Sequence, residues 1–187
     1  MGNFKKVITS IDDLYIIEPE LFEDKRGNFF EFYNKLDFER LGLNYYFVQD
    51  NKSKSKKGVL RGLHYQKEQS QAKLIRCIKG KVFDVAIDLR QNSKTYGKWE
   101  SVILSEENYK MLMIPKGFAH GYLVLSKNAE IIYKCDDYYN KELEAGIMWN
   151  DSFFRINWPI EEIGIDEPIL SGKDKKWPKF TGREGIL

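Results

Sequence analysis

The segment Val82–Arg90 (VFDVAIDLR) places Phe83, Val85, Ile87 and Leu89 in strict alternation with its other residues. A period of two is the mark of a β-strand with one face turned to a core. Lys79-Gly80 precedes it and Ala72–Ile78 precedes that pair, which predicts a hairpin closed by a two-residue turn. Further strand-like segments follow at close spacing: Tyr15–Phe22, Asn28–Tyr33, Tyr45–Gln49, Val59–Gln66, Trp99–Leu104, Lys110–Ile114, Tyr122–Leu125 and Glu130–Cys135. The polar EDKRG separates the first two, and Pro115-Lys116-Gly117 is a turn signal between two later ones. Leu36–Leu43 reads as a short helix closing near Gly42. From about Asp151 alternation stops and Pro159, Pro168 and Pro178 punctuate the chain, which predicts loops with short helical pieces. Many short strands with frequent turns predict a mainly β sandwich, jelly roll or closed barrel, whose mouth or lumen can hold a ligand. No linker, repeat or low-complexity tract interrupts the 187 residues, so a single domain over 1–187 is expected.

Composition narrows the function classes. The 30 Lys and Arg against 28 Asp and Glu leave a net charge of +2, scattered along the chain. That pattern offers no footprint for nucleic acid or an anionic membrane surface, although a few basic side chains suffice for a phosphate or pyrophosphate. No apolar run approaches the ~20 residues of a membrane span. The first residues, MGNFKKVITSIDDLYII, lack the apolar core of a signal peptide, so a cytoplasmic location is expected. Cys77 and Cys135 lie far apart in apolar stretches and read as buried thiols. The two histidines, His64 and His120, belong to no HxH or HExxH pair, so no metal is expected. Spacing alone leaves open a site made from both with carboxylates.

Ionisable residues inside strand patterns carry the chemical signal. In VLRGLHYQ, alternation sets Leu60, Gly62, His64 and Gln66 on one face and Val59, Arg61, Leu63 and Tyr65 on the other. A bulge at Gly62 would bring Arg61 and His64 to the same side. AEIIYKC aligns Tyr133 with Ala129, Ile131 and Cys135, and Lys73 opens the strand KLIRCI. Asp84 and Asp88 share the non-aliphatic face of FDVAIDLR, and His120 stands in a glycine-flanked turn leading into a strand. A histidine, a lysine and a tyrosine together suit proton transfer next to a carbonyl: a base, a cation for the enolate oxygen, and a phenol that returns a proton. Each residue also has a plainer reading. His64 can be a hydrogen-bonded half-buried side chain, Tyr133 core, Lys73 a solvated strand end, Arg26 and Arg61 surface charges, and the two aspartates solvent-facing.

The chain resembles the dTDP-4-dehydrorhamnose 3,5-epimerase family through EDKRGNFFEFYN, FVQDNKSKSKKGVLRGLHYQ, QAKLIRCIKGKVFDVAIDLR, SKTYGKW, IPKGFAHGYLVLS, IMWND and SGKD, in that order. The resemblance implies a cupin-type jelly roll, a homodimer that exchanges N-terminal strands, and no metal or organic cofactor. It implies inversion of C3 and C5 of dTDP-4-dehydro-6-deoxy-glucose on either side of the C4 ketone. On this resemblance His64 is the base, Asp174 orients it, and Asp84 is a second polar partner. Tyr133 reprotonates from the opposite face, and Lys73 with His120 stabilises the enolate. Arg26, Glu31, Gln49, Asp50, Asn51, Arg61, Lys73, His120, Glu144 and Lys173 match positions that bind the nucleotide diphosphate sugar, and Tyr139 reaches the sugar or serves as an auxiliary acid. Relatives of such enzymes invert one centre only or act on other nucleotide sugars, including GDP-linked heptoses. A metal-dependent cupin and a non-catalytic sugar-nucleotide binder are the readings from other classes.

Overall fold

The computed structural model describes residues 3–182. In chain order the elements are β1 (Phe4–Ile8), β2 (Tyr15–Pro19), β3 (Phe22–Asp24), β4 (Gly27–Phe29), α1 (Lys35–Arg40), β5 (Gln49–Lys56), β6 (Leu60–Gln66), β7 (Lys73–Lys79), β8 (Lys81–Asp88), β9 (Trp99–Ser105), β10 (Met111–Ile114), β11 (Phe118–Val124), β12 (Asn128–Cys135) and β13 (Glu144–Gly146). A 3-10 turn, Asp174–Lys176, follows near the end. Two antiparallel sheets stack face to face, one of six strands in the order β1-β2-β10-β7-β12-β5 and one of five in the order β13-β6-β11-β8-β9. β3 and β4 form a separate two-stranded ribbon.

From β5 to β8 and from β9 to β13 each strand is followed by one in the opposite sheet, the winding of a cupin-type double-stranded β-helix. This corrects the expected hairpin across Lys79-Gly80. β7 pairs with β10 and β12, whereas β8 pairs with β11 and β9. The turn residues are those that sequence suggests, but the turn carries the chain across the sandwich. Gly80 has φ +75°, and a Cβ there would collide with the Asn128 carbonyl. The next amide, Lys81 N–H, donates to Ser126 Oγ at 2.8 Å.

Apolar burial explains why both sheets persist. Ile75, Cys77, Val82, Ala86, Leu112, Tyr122 and Ile131 fill the space between them. A second cluster on the outer face of the five-stranded sheet joins Leu60, Leu63, Val85, Ile87 and Leu123 to Phe154 and Trp158 of the C-terminal segment. A third sets Phe38 of α1 against Ile17, Leu74, Met111 and Met113 on the outer face of the six-stranded sheet. Each fully buried side chain of this size contributes roughly 1.5–3 kcal/mol. The helix is started by Asn34, whose side chain accepts from the Leu36 and Asp37 amides. With both faces of β8 covered, Asp84 and Asp88 are 0% exposed, so the solvent-facing reading is overturned. Asp88 is neutralised locally by Arg90, Ser93 and Thr95.

Two other expectations shift. Residues 45–48 are not a strand, and the strand that follows, β5 (QDNKSKSK), has no apolar pattern to reveal it. Its alternation is one of exposure: Gln49, Asn51, Ser53 and Ser55 point inward, while Asp50, Lys52, Lys54 and Lys56 face out. The inward set is polar because part of it lines a cavity. His120 lies within β11, opposite both His64 and Ala86, and not in a turn before it.

Candidate active site

A bulge in β6 determines which side chains enter the space between the sheets. On β11, His120 and Tyr122 are two apart; their partners on β6, His64 and Arg61, are three apart. The extra residue falls at Gly62-Leu63. Gly62 has φ +129°, and a Cβ there would lie 2.5 Å from the Gly121 Cα, so only glycine fits this close approach. The bulge turns Leu60, Leu63 and Tyr65 outward into one apolar cluster and leaves Arg61 and His64 facing inward. Simple alternation would have misplaced Leu60.

His64 Nε2 meets Asp174 Oδ1 at 2.5 Å, across 110 positions of sequence. Asp174 is 3% exposed. Its second oxygen accepts from Ser171 Oγ at 2.8 Å, and the Trp177 indole N–H donates to Oδ1 at 3.2 Å. Burial alone would push this carboxyl up. The bonds from His64, Ser171 and Trp177 outweigh burial and hold it below the usual carboxylate range, so it is an anion at neutral pH.

A second His–Asp pair lies beside the first. His120 Nε2 meets Asp84 Oδ1 at 2.8 Å, which corrects the assignment of Asp84 as a second partner of His64. Asp84 Oδ2 is buried without a partner. Burial raises the Asp84 pKa, with His120 and Lys73 pulling the other way.

The six-stranded sheet supplies the facing groups. Lys73 opens β7 and pairs with Cys135 of β12 in the backbone ladder. Burial lowers its pKa against the attraction of Cys135, Asp84 and Glu144. Tyr133 projects from β12, packs against the inner core and lines the same cavity; burial pushes its phenol up to about 12. Gln49 and Asn51 reach in from β5 and are joined at 2.9 Å, and Arg61 donates to Ser55 at 3.1 Å. At the rim Glu144 accepts from Tyr139 Oη at 2.7 Å and from Lys173 Nζ at 2.5 Å. Desolvation opposes the Glu144 charge, but those two donors hold its pKa below the ordinary value.

The cavity between these groups measures about 350 Å³ and is lined by Gln49, Asn51, His64, Lys73, Tyr133, Tyr139 and Glu144 among others. Three of the sequence candidates stand elsewhere. Asp50, one residue out of phase, faces the other side of the sheet and binds Lys134 at 3.0 Å. Arg26 sits at the tip of the β3–β4 ribbon, paired with Asp24. Glu31 holds Asn3 and Asn34. Sequence reading missed Gln66, Gln71 and Cys135 in the lining, and Ser171 and Trp177 behind Asp174. Alternation from Tyr133 points to Cys135, whereas nothing in the local pattern around 171–177 signals contact with His64. Among the described residues no group of three or more His, Cys, Asp and Glu side chains is placed to hold a metal ion.

Chemically, one wall carries an imidazole backed by a carboxylate, and the other carries a phenol and an ammonium. Such a pocket can take a proton on one side of a bound carbon acid, hold the resulting oxyanion, and return a proton on the other.

Comparison with known proteins agrees. The family model described as dTDP-4-dehydrorhamnose 3,5-epimerase matches residues 8–182. A protein of that name from Methanothermobacter thermautotrophicus is 50% identical over 177 residues, covering 95% of each chain. The crystal structure of dTDP-4-dehydrorhamnose 3,5-epimerase from Elizabethkingia anophelis superposes with a TM-score of 0.91 at 52% identity, covering 98% of this chain and 100% of the other. The dTDP-6-deoxy-D-glucose-3,5-epimerase of Legionella pneumophila, solved in complex with dTDP-4-keto-L-rhamnose, gives 0.89 at 47% identity over 94% and 92% of the two chains. With a matching fold and near-complete coverage, the chain belongs to the dTDP-4-dehydrorhamnose 3,5-epimerase family.

Proposed function

We propose that this protein inverts C3 and C5 of dTDP-4-dehydro-6-deoxy-glucose by proton removal next to the C4 ketone and reprotonation from the opposite face. The observation that carries this reading is the division of groups between the walls, with the His64–Asp174 pair on one and Tyr133 and Lys73 on the other. A hydrogen next to a ketone is too weakly acidic for an imidazole unless the enolate is stabilised as it forms. The Lys73 ammonium, held in a half-buried position, supplies that stabilisation, and its charge is felt by Asp84, the carboxylate that His120 bonds. His64 takes the proton and Asp174 stabilises the imidazolium. Tyr133 lines the cavity on the sheet opposite His64 and carries a phenol that burial keeps protonated, so it is the acid that returns the proton to the enolate carbon. Inversion requires two groups because one residue cannot easily serve both faces. Arg61, Gln49, Asn51, Glu144, Lys173 and Tyr139 bind the nucleotide and sugar around this centre.

The protein acts as a homodimer. The β3–β4 ribbon supports this: it pairs with no other strand among the described residues, and it exposes Phe22 (47%) and Phe29 (67%). Packed on a second copy, the ribbon would deliver Arg26, at its tip, to the partner's cavity, which accounts for its place outside its own. Sedimentation velocity at micromolar concentration should give twice the 22.1 kDa chain mass; a monomer retaining full activity refutes the dimer.

The activity is tested by proton NMR in D2O on dTDP-4-dehydro-6-deoxy-glucose. Both the C3 and C5 signals should vanish, and a coupled reductase should yield dTDP-L-rhamnose. Exchange at one carbon alone would make the protein a single-centre epimerase. His64→Ala should abolish exchange at both carbons; retained exchange removes His64 as the base.

A further inference from the structure

Asp174 is oriented by more than its histidine. Its Oδ1 accepts from both His64 and the Trp177 indole N–H, the latter at 3.2 Å. The same indole stands edge-on to the imidazole, with ring centroids 6.0 Å apart and planes inclined at 68°. Its other face leans on Gly146, the β13 residue paired with His64 in the sheet ladder. A Cβ at Gly146 would fall 2.5 Å from the indole Cδ2 and Cε2 and 2.7 Å from Nε1. One side chain thus touches both members of the dyad and is seated only because position 146 carries no side chain. Apolar packing of the ring would have been satisfied by phenylalanine. The N–H aimed at an anionic oxygen already shared with His64 is a more specific arrangement.

We infer that Trp177, seated on Gly146, is a positioning residue for the His64–Asp174 base. It fixes the carboxylate in the imidazole plane and steadies its negative charge, so that His64 is aimed at the carbon acid before substrate arrives. A dyad with no such support would sample orientations in which the imidazole is misdirected, and a misplacement of about 1 Å can lower a rate about a hundredfold. Ser171 supports the other carboxylate oxygen from the same segment, so the segment clamps Asp174 on both oxygens. The inference rests on His64 being the base.

The test uses the full-length protein and deuterium wash-in at C3 and C5. Trp177→Phe keeps a ring over Gly146 but removes the N–H. Its kcat for exchange should fall about tenfold, the scale of one hydrogen bond to a charged group. KM and the affinity for dTDP should stay within about twofold. The far-downfield proton resonance of the His64–Asp174 hydrogen bond should shift or broaden, while the thermal midpoint changes little. Gly146→Ala should lower kcat in the parent protein, and should lower it no further in a Trp177→Ala background where the ring is gone. An unchanged kcat and resonance in Trp177→Phe overturns the inference, as does an equal effect of Gly146→Ala in both backgrounds. If His64→Ala retains exchange, the base assignment fails first; if it abolishes exchange while Trp177→Phe is normal, only the inference about Trp177 fails.

Discussion

Replacing Lys73 by methionine keeps an unbranched side chain of similar length and deletes one charge from the cavity wall. Two unit charges ~4 Å apart in a medium of effective dielectric ~20 interact by about 4 kcal/mol. An enolate carrying half its final charge in the transition state would receive about 2 kcal/mol of this. The expected loss is therefore roughly 30-fold in the rate of proton removal. It should appear at C3 and C5 alike, because both carbons share the C4 oxygen. The effect on folding runs the other way. Burial leaves Lys73 with a lowered pKa, so its charged form is disfavoured in the native state. Between that lowered value and the ordinary 10.5 the unfolded chain binds more protons, so the Lys73 contribution to stability rises with pH across this window. Lys73→Met should be at least as stable as the parent at pH 7 and should lose this alkaline rise. The assay is deuterium wash-in followed by NMR, with calorimetric dTDP binding and urea melts at pH 7 and 9 as controls. Exchange within about threefold of the parent would refute the electrostatic role. A rate loss accompanied by a matching loss of stability would show that Lys73 acts through the fold.

Tyr133→Phe removes the acid and leaves the base, so deuterium should still enter the substrate while net inversion falls about a hundredfold. Equal and complete loss of both, followed in one NMR time course, would make Tyr133 a residue that only shapes the cavity. Since burial holds its phenol at about 12, Tyr133 should add no alkaline limb to the pH–rate profile below pH 10. Gly80→Ala imposes a side chain on a positive φ and against the Asn128 carbonyl, and should destabilise by roughly 2 kcal/mol or more in urea melts. A melt within about 0.5 kcal/mol of the parent would show that the crossing between sheets tolerates a different turn.

Period-two alternation made most of the strands legible, because one face of each is apolar whatever the partner strand. Pairing was not legible. The Lys79-Gly80 turn is compatible with both a hairpin and a crossing, and the choice is made by β10, β11 and β12, which arrive later in the chain. β5 escaped because its inward face is polar, and it is polar because it belongs partly to the cavity. The candidate site was legible where motif residues lie on strands, as with His64, Lys73 and Tyr133. Plain alternation placed Leu60 on the wrong face, and only a bulge at Gly62 reconciles Arg61 with His64. Asp84 was on the correct strand but assigned to the wrong histidine, since the sequence gives no register between β8 and β11. Trp177 lies in an irregular segment where no period applies, so its contact with His64 follows only from three-dimensional packing.

The 110 positions that separate His64 from Asp174 have a consequence for synthesis of the chain. At roughly 5–20 residues per second, the ribosome takes about 5–20 s to travel from one to the other. During that interval the nascent chain can assemble strands and the lysine-bearing wall, yet it holds a histidine without its carboxylate. On the proposed role of His64 as the base, proton abstraction would switch on late, when the C-terminal turn docks beneath β6. A messenger truncated before codon 174 would release a product able to bury much of the same apolar surface but unable to invert a sugar.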